Sequence, residues 1–451
     1  MLYRKAYAKL MDWKSQENKK ALCVCGARQI GKTTLIRKFA QENYENYVEL
    51  NFIQQPQAIE IFSGALDADM IITNLTAFTR KPMIPGKTLV LFDEVQECPN
   101  TRTAIKFLVE DGRFDYIESG SLLGIRYNDV RSYPVGYEEI YQMYPMDFEE
   151  YLYANGVQES TVEYLGNCFE ERTPVAGAVH ETVTRLFQSY IGVGGMPQVV
   201  KTYVDTHDIG RVIENQNDIL NQYRLDISKY ASGNDKIKIK AIFDSIPSQL
   251  NDKNRRFFLN QIDENGRQNR YKDSFQWLED AGVALACFNV THPQPPLQLN
   301  EKHNLFKLFM NDTGLLCTAC MENIQFDILN GNLEINLGSI LENVIAQQIR
   351  SSGFSLNFFG SKKYGELDFV IQNGSRIELV EVKSGKDYRK HSSLDKVLTV
   401  SKWKFHNAYV FCKGNIEVLD DVVYLPWYEV MFLKSDKIPI GMKYEIDLSG
   451  L

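Results

Sequence analysis

Residues 21–39 read ALCVCGARQIGKTTLIRKF. An apolar run of strand length, Ala21 to Cys25, passes into Gly26-Ala-Arg-Gln-Ile-Gly31-Lys32-Thr33 and then into Thr34-Leu35-Ile36-Arg37-Lys38-Phe39, whose apolar residues recur at helical spacing. Strand, G-x-x-x-x-G-K-[ST] and helix, in that order, is the arrangement of a phosphate-binding P-loop. The glycines let main-chain N–H groups wrap a phosphate, and the helix N-terminus adds a favourable dipole. Lys32 reaches the β and γ oxygens, and the Thr33 hydroxyl can ligate Mg²⁺. The stretch therefore predicts an α/β fold and the cofactors ATP and Mg²⁺. Gly26, Ala27, Arg28, Gln29, Ile30, Gly31, Lys32, Thr33 and Thr34 are the expected nucleotide-binding residues.

A second apolar strand, Thr88 to Phe92, ends in Asp93-Glu94. In a P-loop protein a carboxylate here holds Mg²⁺ through water, and the next one can polarise the attacking water, so Asp93 is a metal residue and Glu94 a catalytic one beside Lys32. A third piece, Tyr116-Ile117-Glu118, leads into Ser119-Gly120-Ser121. Ser119 at that strand end is placed to sense the γ-phosphate, an ordinary turn being the alternative.

Length and composition set the frame. A chain of 451 residues with 44% apolar and 24% charged residues has room for two or three domains with real cores. A formal net charge of −8 argues against a nonspecific polyanion binder, so nucleic acid would need a local basic face. Arg255, Arg256, Arg267, Arg270 and Lys272 form one candidate face, a solvated helical surface being the other reading. Met1-Leu2-Tyr3-Arg4-Lys5 is followed by no apolar signal core, and no apolar run reaches membrane-spanning length, so a cytoplasmic location and no membrane partner are expected. Eight scattered cysteines read as reduced, mostly buried thiols. Cys317 and Cys320 lack a second ligand pair for zinc.

Residues 366–385, ELDFVIQNGSRIELVEVKSG, pose a second question. Leu367, Phe369 and Ile371 alternate with Asp368, Val370 and Gln372. Gln372 to Ser375 supply turn chemistry, and Ile377 to Val382 form a second β-rich run, so the segment reads as a hairpin. Side chains two apart share a face, which groups Glu366 with Asp368 and Glu381 with Lys383. The hairpin can bring Asp368, Glu381 and Lys383 together, two carboxylates suited to Mg²⁺ and an ammonium that can orient a water. For an isolated Glu-x-Lys the ordinary reading is a surface pair, so context decides.

That context comes from several motifs in one order: Gly26 to Thr33, Leu91-Phe-Asp-Glu-Val-Gln96, Ser119-Gly-Ser-Leu-Leu123, Tyr144-Pro-Met-Asp-Phe-Glu-Glu150, Gly194-Gly-Met-Pro197, Asn311-Asp-Thr-Gly-Leu315, Glu366-Leu-Asp-Phe and Glu381-Val-Lys. With them the chain resembles, over nearly its whole length, the prokaryotic AAA-type ATPases that carry a C-terminal DUF4143 domain. That family is similar in turn to the signal-transducing NTPases, and the resemblance implies that Gly195 and Pro197 line the nucleotide base. Relatives often place Gly-Arg where this chain reads Tyr133-Pro-Val-Gly136-Tyr137, which leaves Arg126 and Arg131 as candidates for an arginine finger.

Between about 205 and 320 the pattern is helical. Ile237 to Leu250 and Tyr271 to Leu278 are amphipathic, and Val283 to Val290 with Leu305 to Met310 could form a wing. A winged-helix-like middle follows, serving as a DNA-binding module or a spacer. Gly338 to Ile349 is then a helix carrying Glu342. Helix with Glu, strand with Asp, and strand with Glu-x-Lys resembles the PD-(D/E)xK nucleases, although Leu367 stands where that motif has proline. The resemblance implies that Glu342, Asp368 and Glu381 serve the metal and that Lys383 is catalytic.

The expected domains are an AAA-type P-loop ATPase domain at 1–205, a helical winged-helix-like region at 206–320, and an α/β nuclease-like domain at 321–451, with DUF4143 spanning roughly 206–400. The expected function is an ATP-binding, ATP-hydrolysing protein whose nucleotide state controls a nuclease-like domain acting on DNA or RNA. The alternative is an ATP-dependent switch or scaffold with a silent nuclease fold, acting through a protein partner or self-association.

Overall fold

The computed structural model describes residues 2–121, 134–231, 233, 235–252, 256–264, 266, 270–320, 324–329, 337–436 and 446. Arg126 and Arg131 lie outside these residues, as do Arg255 and Arg267.

The first unit is a five-stranded sheet with helices on both faces. Its elements are α1 (Ala6–Lys14), β1 (Ala21–Cys25), α2 (Lys32–Asn43), β2 (Asn46–Asn51), α3 (Ala68–Thr79), β3 (Thr88–Asp93), α4 (Pro99–Asp111), β4 (Asp115–Ser119) and β5 (Glu138–Gln142). The strand order is β2-β3-β4-β1-β5, and every ladder is parallel. Strands β1 and β3, buried along their length, have near-continuous apolar runs rather than strict alternation. Leu22, Val24, Leu89, Leu91 and Ile117 pack against α1 and α2 through Trp13, Ile36 and Phe39. Cys23, Val90, Phe92 and Tyr116 pack on the other face against Ile71, Leu75, Ile105 and Leu108 of α3 and α4.

Strand β4 stands between the P-loop strand and β3, and its register decides what meets at the sheet's edge. Val24 is paired with Ser119, Ser119 with Asp93, and Asp93 with Asn51. One row of residues thus crosses four strands at their C-terminal ends, where open parallel sheets place ligands.

Helices α5 (Phe148–Ala154), α6 (Glu159–Glu171), α7 (Gly177–Val193), α8 (Pro197–Thr206), α9 (Ile209–Tyr230), α10 (Asp235–Asn251) and α11 (Lys272–Asp280) follow. Asp147 caps α5 in a reciprocal capping box with Glu150. Phe148, Tyr151, Phe187 and Tyr190 are fully buried and make an aromatic cluster under α5 and α7.

The expected wing is present as an antiparallel hairpin of β6 (Ala284–Val290) and β7 (Glu301–Met310). It is not a free wing. After α12 (Thr313–Cys320), α13 (Ile324–Leu329) and α14 (Leu337–Ser351), strands β8 (Asn357–Ser361) and β9 (Gly365–Leu367) extend it into a four-stranded sheet ordered β7-β6-β8-β9. The middle region and the C-terminal part therefore share a sheet across the expected boundary at 320.

The last sheet contains β10 (Phe369–Asn373), β11 (Arg376–Val382), β12 (Asn407–Cys412), β13 (Glu417–Leu419) and β14 (Val422–Pro426), with α15 (Ser392–Leu398) before β12. Its order is β10-β11-β12-β14-β13. The expected hairpin is β10 and β11, in register from Phe369↔Val380 to Asn373↔Arg376 around a two-residue turn at Gly374-Ser375. The run 366–372, expected as one strand, is split: Glu366 and Leu367 belong to the middle sheet, and Asp368 alone links β9 to β10. Among the described residues no helix is long and apolar enough to cross a membrane, and all eight cysteines are free thiols.

Candidate functional site

At the P-loop, Gly26 has φ 136°, and a Cβ there would lie 2.3 Å from the Met143 carbonyl oxygen. The loop can pass this close to the chain after β5 only as glycine. Lys32 opens α2 and folds back into the loop, its Nζ donating to the carbonyls of Gly26 and Ala27 (2.8 Å each) and to Ser121 Oγ (3.2 Å). Burial lowers its pKa to about 8, against the pull of the Glu94 and Asp93 carboxylates. An ammonium held in a dry loop with only neutral oxygen partners is ready for phosphate oxygens.

The row across the sheet forms the acidic half of the site. Thr33 Oγ1 donates to both carboxylate oxygens of Asp93 (3.2 Å each), Asn51 Nδ2 donates to Asp93 Oδ2 (2.8 Å), and Ser119 donates to Asp93. Thr33 and Asp93 are thus the hard oxygen pair that a Mg²⁺ bound with its own waters would use. Glu94 follows with a left-handed backbone (φ 56°) and accepts from the Gln96 amide.

Four supports of this site come from outside the loop's own neighbourhood in sequence. Arg4 is buried and donates to Ile30 O (2.6 Å), Tyr144 O (2.7 Å) and Glu150 Oε1 (3.2 Å), tying the loop to α5. Arg28 Nη1 donates to Asp226 of α9 (2.7 Å), and Tyr223 of the same helix donates to Arg28 O (3.4 Å). The turn after α11 comes so near that a Cβ on Gly282 would sit 3.0 Å from the Ala27 nitrogen. Pro197 Cγ lies 3.7 Å from where a Cβ on Gly31 would stand, so the Gly194–Pro197 segment borders the loop. That segment is pinned by Asp312, whose Oδ2 accepts from Gly195 N (2.6 Å) and whose Oδ1 accepts from Leu315 N (3.0 Å). Burial raises the Asp312 carboxyl to about 6 despite these donors.

The second site is a cavity of about 580 Å³ lined by Glu366, Asp368, Glu381, Lys383, Tyr388 and Lys390, among others. The break between β9 and β10 puts Asp368 at its wall, where Oδ2 accepts from Val382 N (2.8 Å). Glu381 sits at the end of β11. Its Oε1 accepts from Lys383 Nζ (2.7 Å), while its buried Oε2 has no hydrogen-bond partner among the described residues. Burial, reinforced by the Asp368 carboxylate, raises Glu381 to about 7 although Lys383 opposes this. Lys383 is anchored through its main chain to Phe411 O (2.8 Å) and by Trp427 Nε1 (3.0 Å). Asp368, Glu381 and Lys383 are therefore brought together as the alternation predicts.

Glu342 is placed one contact further away. It is fully buried on α14, with Oε2 3.4 Å from Lys307 Nζ, and Lys307 bonds in turn to Glu366 Oε1 (2.9 Å). Arg256 Nη2 holds the other Glu366 oxygen (2.8 Å), so this part of the expected basic face turns inward. Lys307 gave no signal as a site residue, because nothing local marks a lysine on β7 as the partner of carboxylates 35 and 59 residues later. The unpartnered Glu381 oxygen beside Asp368 fits a hard cation, which would take both carboxylates as Mg²⁺ does.

Comparison with family models divides the chain into three matched stretches, with DUF4143 at 337–430 rather than over the expected 206–400. A family model for an AAA domain matches residues 18–152. Models for two domains of unknown function match 184–325 (DUF8612) and 337–430 (DUF4143). No curated protein matches the chain. Similar solved structures include the Walker-type ATPase PABY2304 of Pyrococcus abyssi (13% identity, 71% of this chain and 96% of that one, TM-score 0.42). The Aeropyrum pernix Orc1 protein in complex with DNA has 13% identity, covering 73% and 94%, at a TM-score of 0.28. The Thermotoga maritima RuvB Holliday junction branch migration motor has 13% identity, covering 63% and 89%, at a TM-score of 0.28. The fold assignment rests on the strand order, the P-loop and the AAA match: the first unit is a P-loop ATPase domain of AAA type, and the chain ends in a DUF4143 domain.

Proposed function

We propose that this ATPase, built from an AAA domain and a C-terminal DUF4143 domain, uses its nucleotide state to govern metal-dependent phosphodiester cleavage at the Asp368–Glu381–Lys383 cavity. The observation that carries the reading is the convergence of two carboxylates and an ammonium on one cavity, with a buried Glu381 oxygen that has no hydrogen-bond partner among the described residues. Bound between Asp368 and Glu381, Mg²⁺ would supply Lewis-acid polarisation of a phosphodiester and acidify a water. Lys383 would then hold that water or the phosphate oxygen by its N–H groups, and the cavity walls would keep the scissile bond oriented. Beside them, Lys307 links Glu342 to Glu366, two residues before Asp368.

At the other end, Lys32 and the loop N–H groups hold the phosphates, Thr33 and Asp93 hold the metal, and Glu94 orients the water. Ser119, through Asp93, reports the γ-phosphate, and Gly195 and Pro197 border the base. Phosphate in the loop changes the geometry of Arg28 and Ala27, which touch α9 and the turn before β6. Helix α14 spans the remaining distance: Gln348 accepts from Phe148 N of α5 (3.2 Å), and Asn343 accepts from Met310 N of β7 (2.8 Å).

A second reading has its own observation. Lys383 occupies one Glu381 oxygen, and Lys307 and Arg256 occupy both Glu366 oxygens. Such a neutralised site suits an ATP-dependent switch whose nuclease-like fold only binds a partner. Incubating wild type and Lys383→Ala with single-stranded DNA, duplex DNA and RNA, in Mg²⁺ or Mn²⁺, separates the two. Cleavage by wild type alone supports the first reading. No cleavage by a preparation that hydrolyses ATP supports the second.

A further inference from the structure

A cluster on the far face of the ATPase sheet is used by neither site. Cys23 of β1 and Glu118 of β4 are register partners, and Glu138 of β5 is paired with Ala21, two residues before Cys23. Because alternate residues share a face, Cys23, Cys25, Glu118 and Glu138 all project from the same side of the sheet. The ligand atoms of Cys23, Glu118 and Glu138 lie within 4.8 Å of one another. Cys25 Sγ is 3.5 Å from Cys23 Sγ. Glu118 is fully buried, and among the described residues its carboxyl meets no donor from elsewhere in the fold, only the Glu138 carboxyl; burial and that neighbour push Glu118 well up. A buried carboxylate beside the Cys23 thiol is costly unless it is protonated or meets a cation. Arg102 hydrogen-bonds Glu138, its Nη2 bridging the two oxygens of that carboxylate (2.8 and 2.7 Å), and its charge also acts on Glu118.

We propose that Cys23, Cys25, Glu118 and Glu138 form a structural zinc site beneath the P-loop. Two sulfurs and two carboxylate oxygens make the four-ligand, mixed S and O set that tetrahedral Zn²⁺ accepts, and Mg²⁺ does not favour thiolate. Two thiolates on one zinc, each about 2.3 Å from it, stand roughly 3.8 Å apart at the tetrahedral angle, close to the separation of the two sulfurs here. Arg102 offsets part of the negative charge that the four deprotonated ligands bring. Cys25 also walls a cleft of about 470 Å³, between β5 and the turn at Gly282, through which an ion can enter. Bound zinc would cross-link β1, β4 and β5 one residue before Gly26 and so stiffen the strand that carries the P-loop.

The test uses the full chain, reduced, stripped with chelator and kept in excess Mg²⁺ and ATP. Co²⁺ is titrated in and then displaced by Zn²⁺. The expected result is a thiolate-to-cobalt absorption band that saturates at one equivalent per chain and vanishes on adding zinc. Cys25→Ser and Glu118→Gln should weaken binding by more than about tenfold, while Asp368→Asn leaves the band unchanged. Folding of each variant is checked by its nucleotide-induced rise in melting temperature. Should Cys23→Ser not fold, Cys25→Ser and Glu118→Gln still decide the matter. No band in folded wild type, or a band of equal affinity in Cys25→Ser and Glu118→Gln, overturns the site.

Discussion

ATP binding to this chain should be coupled to proton uptake above neutral pH, through Lys32. Its ammonium is buried among the carbonyls of Gly26 and Ala27, and burial lowers its pKa from 10.5 to about 8. The folded value lies below the unfolded one, so this group costs stability below pH 8, and the cost is relieved as pH rises from about 8 toward 10.5. At about 1.4 kcal/mol per unit the cost is roughly 3 kcal/mol. Nucleotide phosphates supply the missing counter-charge and restore the charged form. At pH 9 only about a tenth of the free protein has Lys32 protonated, so the Kd for ATP should be roughly tenfold weaker than at pH 7, with nearly one proton taken up per ATP bound. Isothermal calorimetry in buffers of different ionisation heat measures both. Lys32→Arg, whose side chain stays charged throughout, should bind more weakly at pH 7 yet show no such slope. An affinity that is flat from pH 7 to 9.5, or a slope that persists in Lys32→Arg, would show that Lys32 is not the group that takes up the proton.

Other substitutions test separate supports. Glu94→Gln should keep ATP affinity and lose turnover, and normal turnover would move the water-orienting role elsewhere. Gly195→Ala places a Cβ 2.0 Å from the Met146 carbonyl oxygen, so by overpacking it should lose at least about 1–3 kcal/mol, read as a lower urea midpoint. Arg4→Ala removes the brace between Ile30, Tyr144 and Glu150, and breaking that buried pair should cost about 3–5 kcal/mol; a melting temperature equal to wild type would contradict it. Asp312→Ala leaves the Gly195 and Leu315 N–H groups unpaired, at about 1–3 kcal/mol each, and should weaken ATP binding because the Gly194–Pro197 segment borders the loop.

The parts legible in the sequence were those encoded locally. The P-loop, the strand ending in Asp93 and the β10–β11 hairpin each announce themselves within about ten residues, by a motif or by period-two alternation. The link at Asp368 was not legible, because Leu367 and Phe369 alternate as if one strand continued, and only pairing with β8 shows that the chain changes sheets there. The braces were illegible for a different reason: Arg4 meets Glu150 across 146 positions and Arg28 meets Asp226 across 198. Arg256, part of a basic stretch that suggested a nucleic-acid face, bonds Glu366 instead and lies over the Phe358 ring. Charge counts along a chain do not reveal which charges turn inward. The same holds for Cys23 and Glu118, which only the register of parallel strands makes neighbours.

Coupling between the two ends of the molecule is tested most directly by the rate of phosphodiester cleavage in wild type, Lys32→Ala, Glu94→Gln and Asp368→Asn, each with and without ATP. Cleavage should depend on ATP in wild type, lose that dependence in Lys32→Ala, be locked at one nucleotide-bound rate in Glu94→Gln, and be absent in Asp368→Asn. Cleavage indifferent to ATP and to Lys32→Ala, or undiminished in Asp368→Asn, would contradict it.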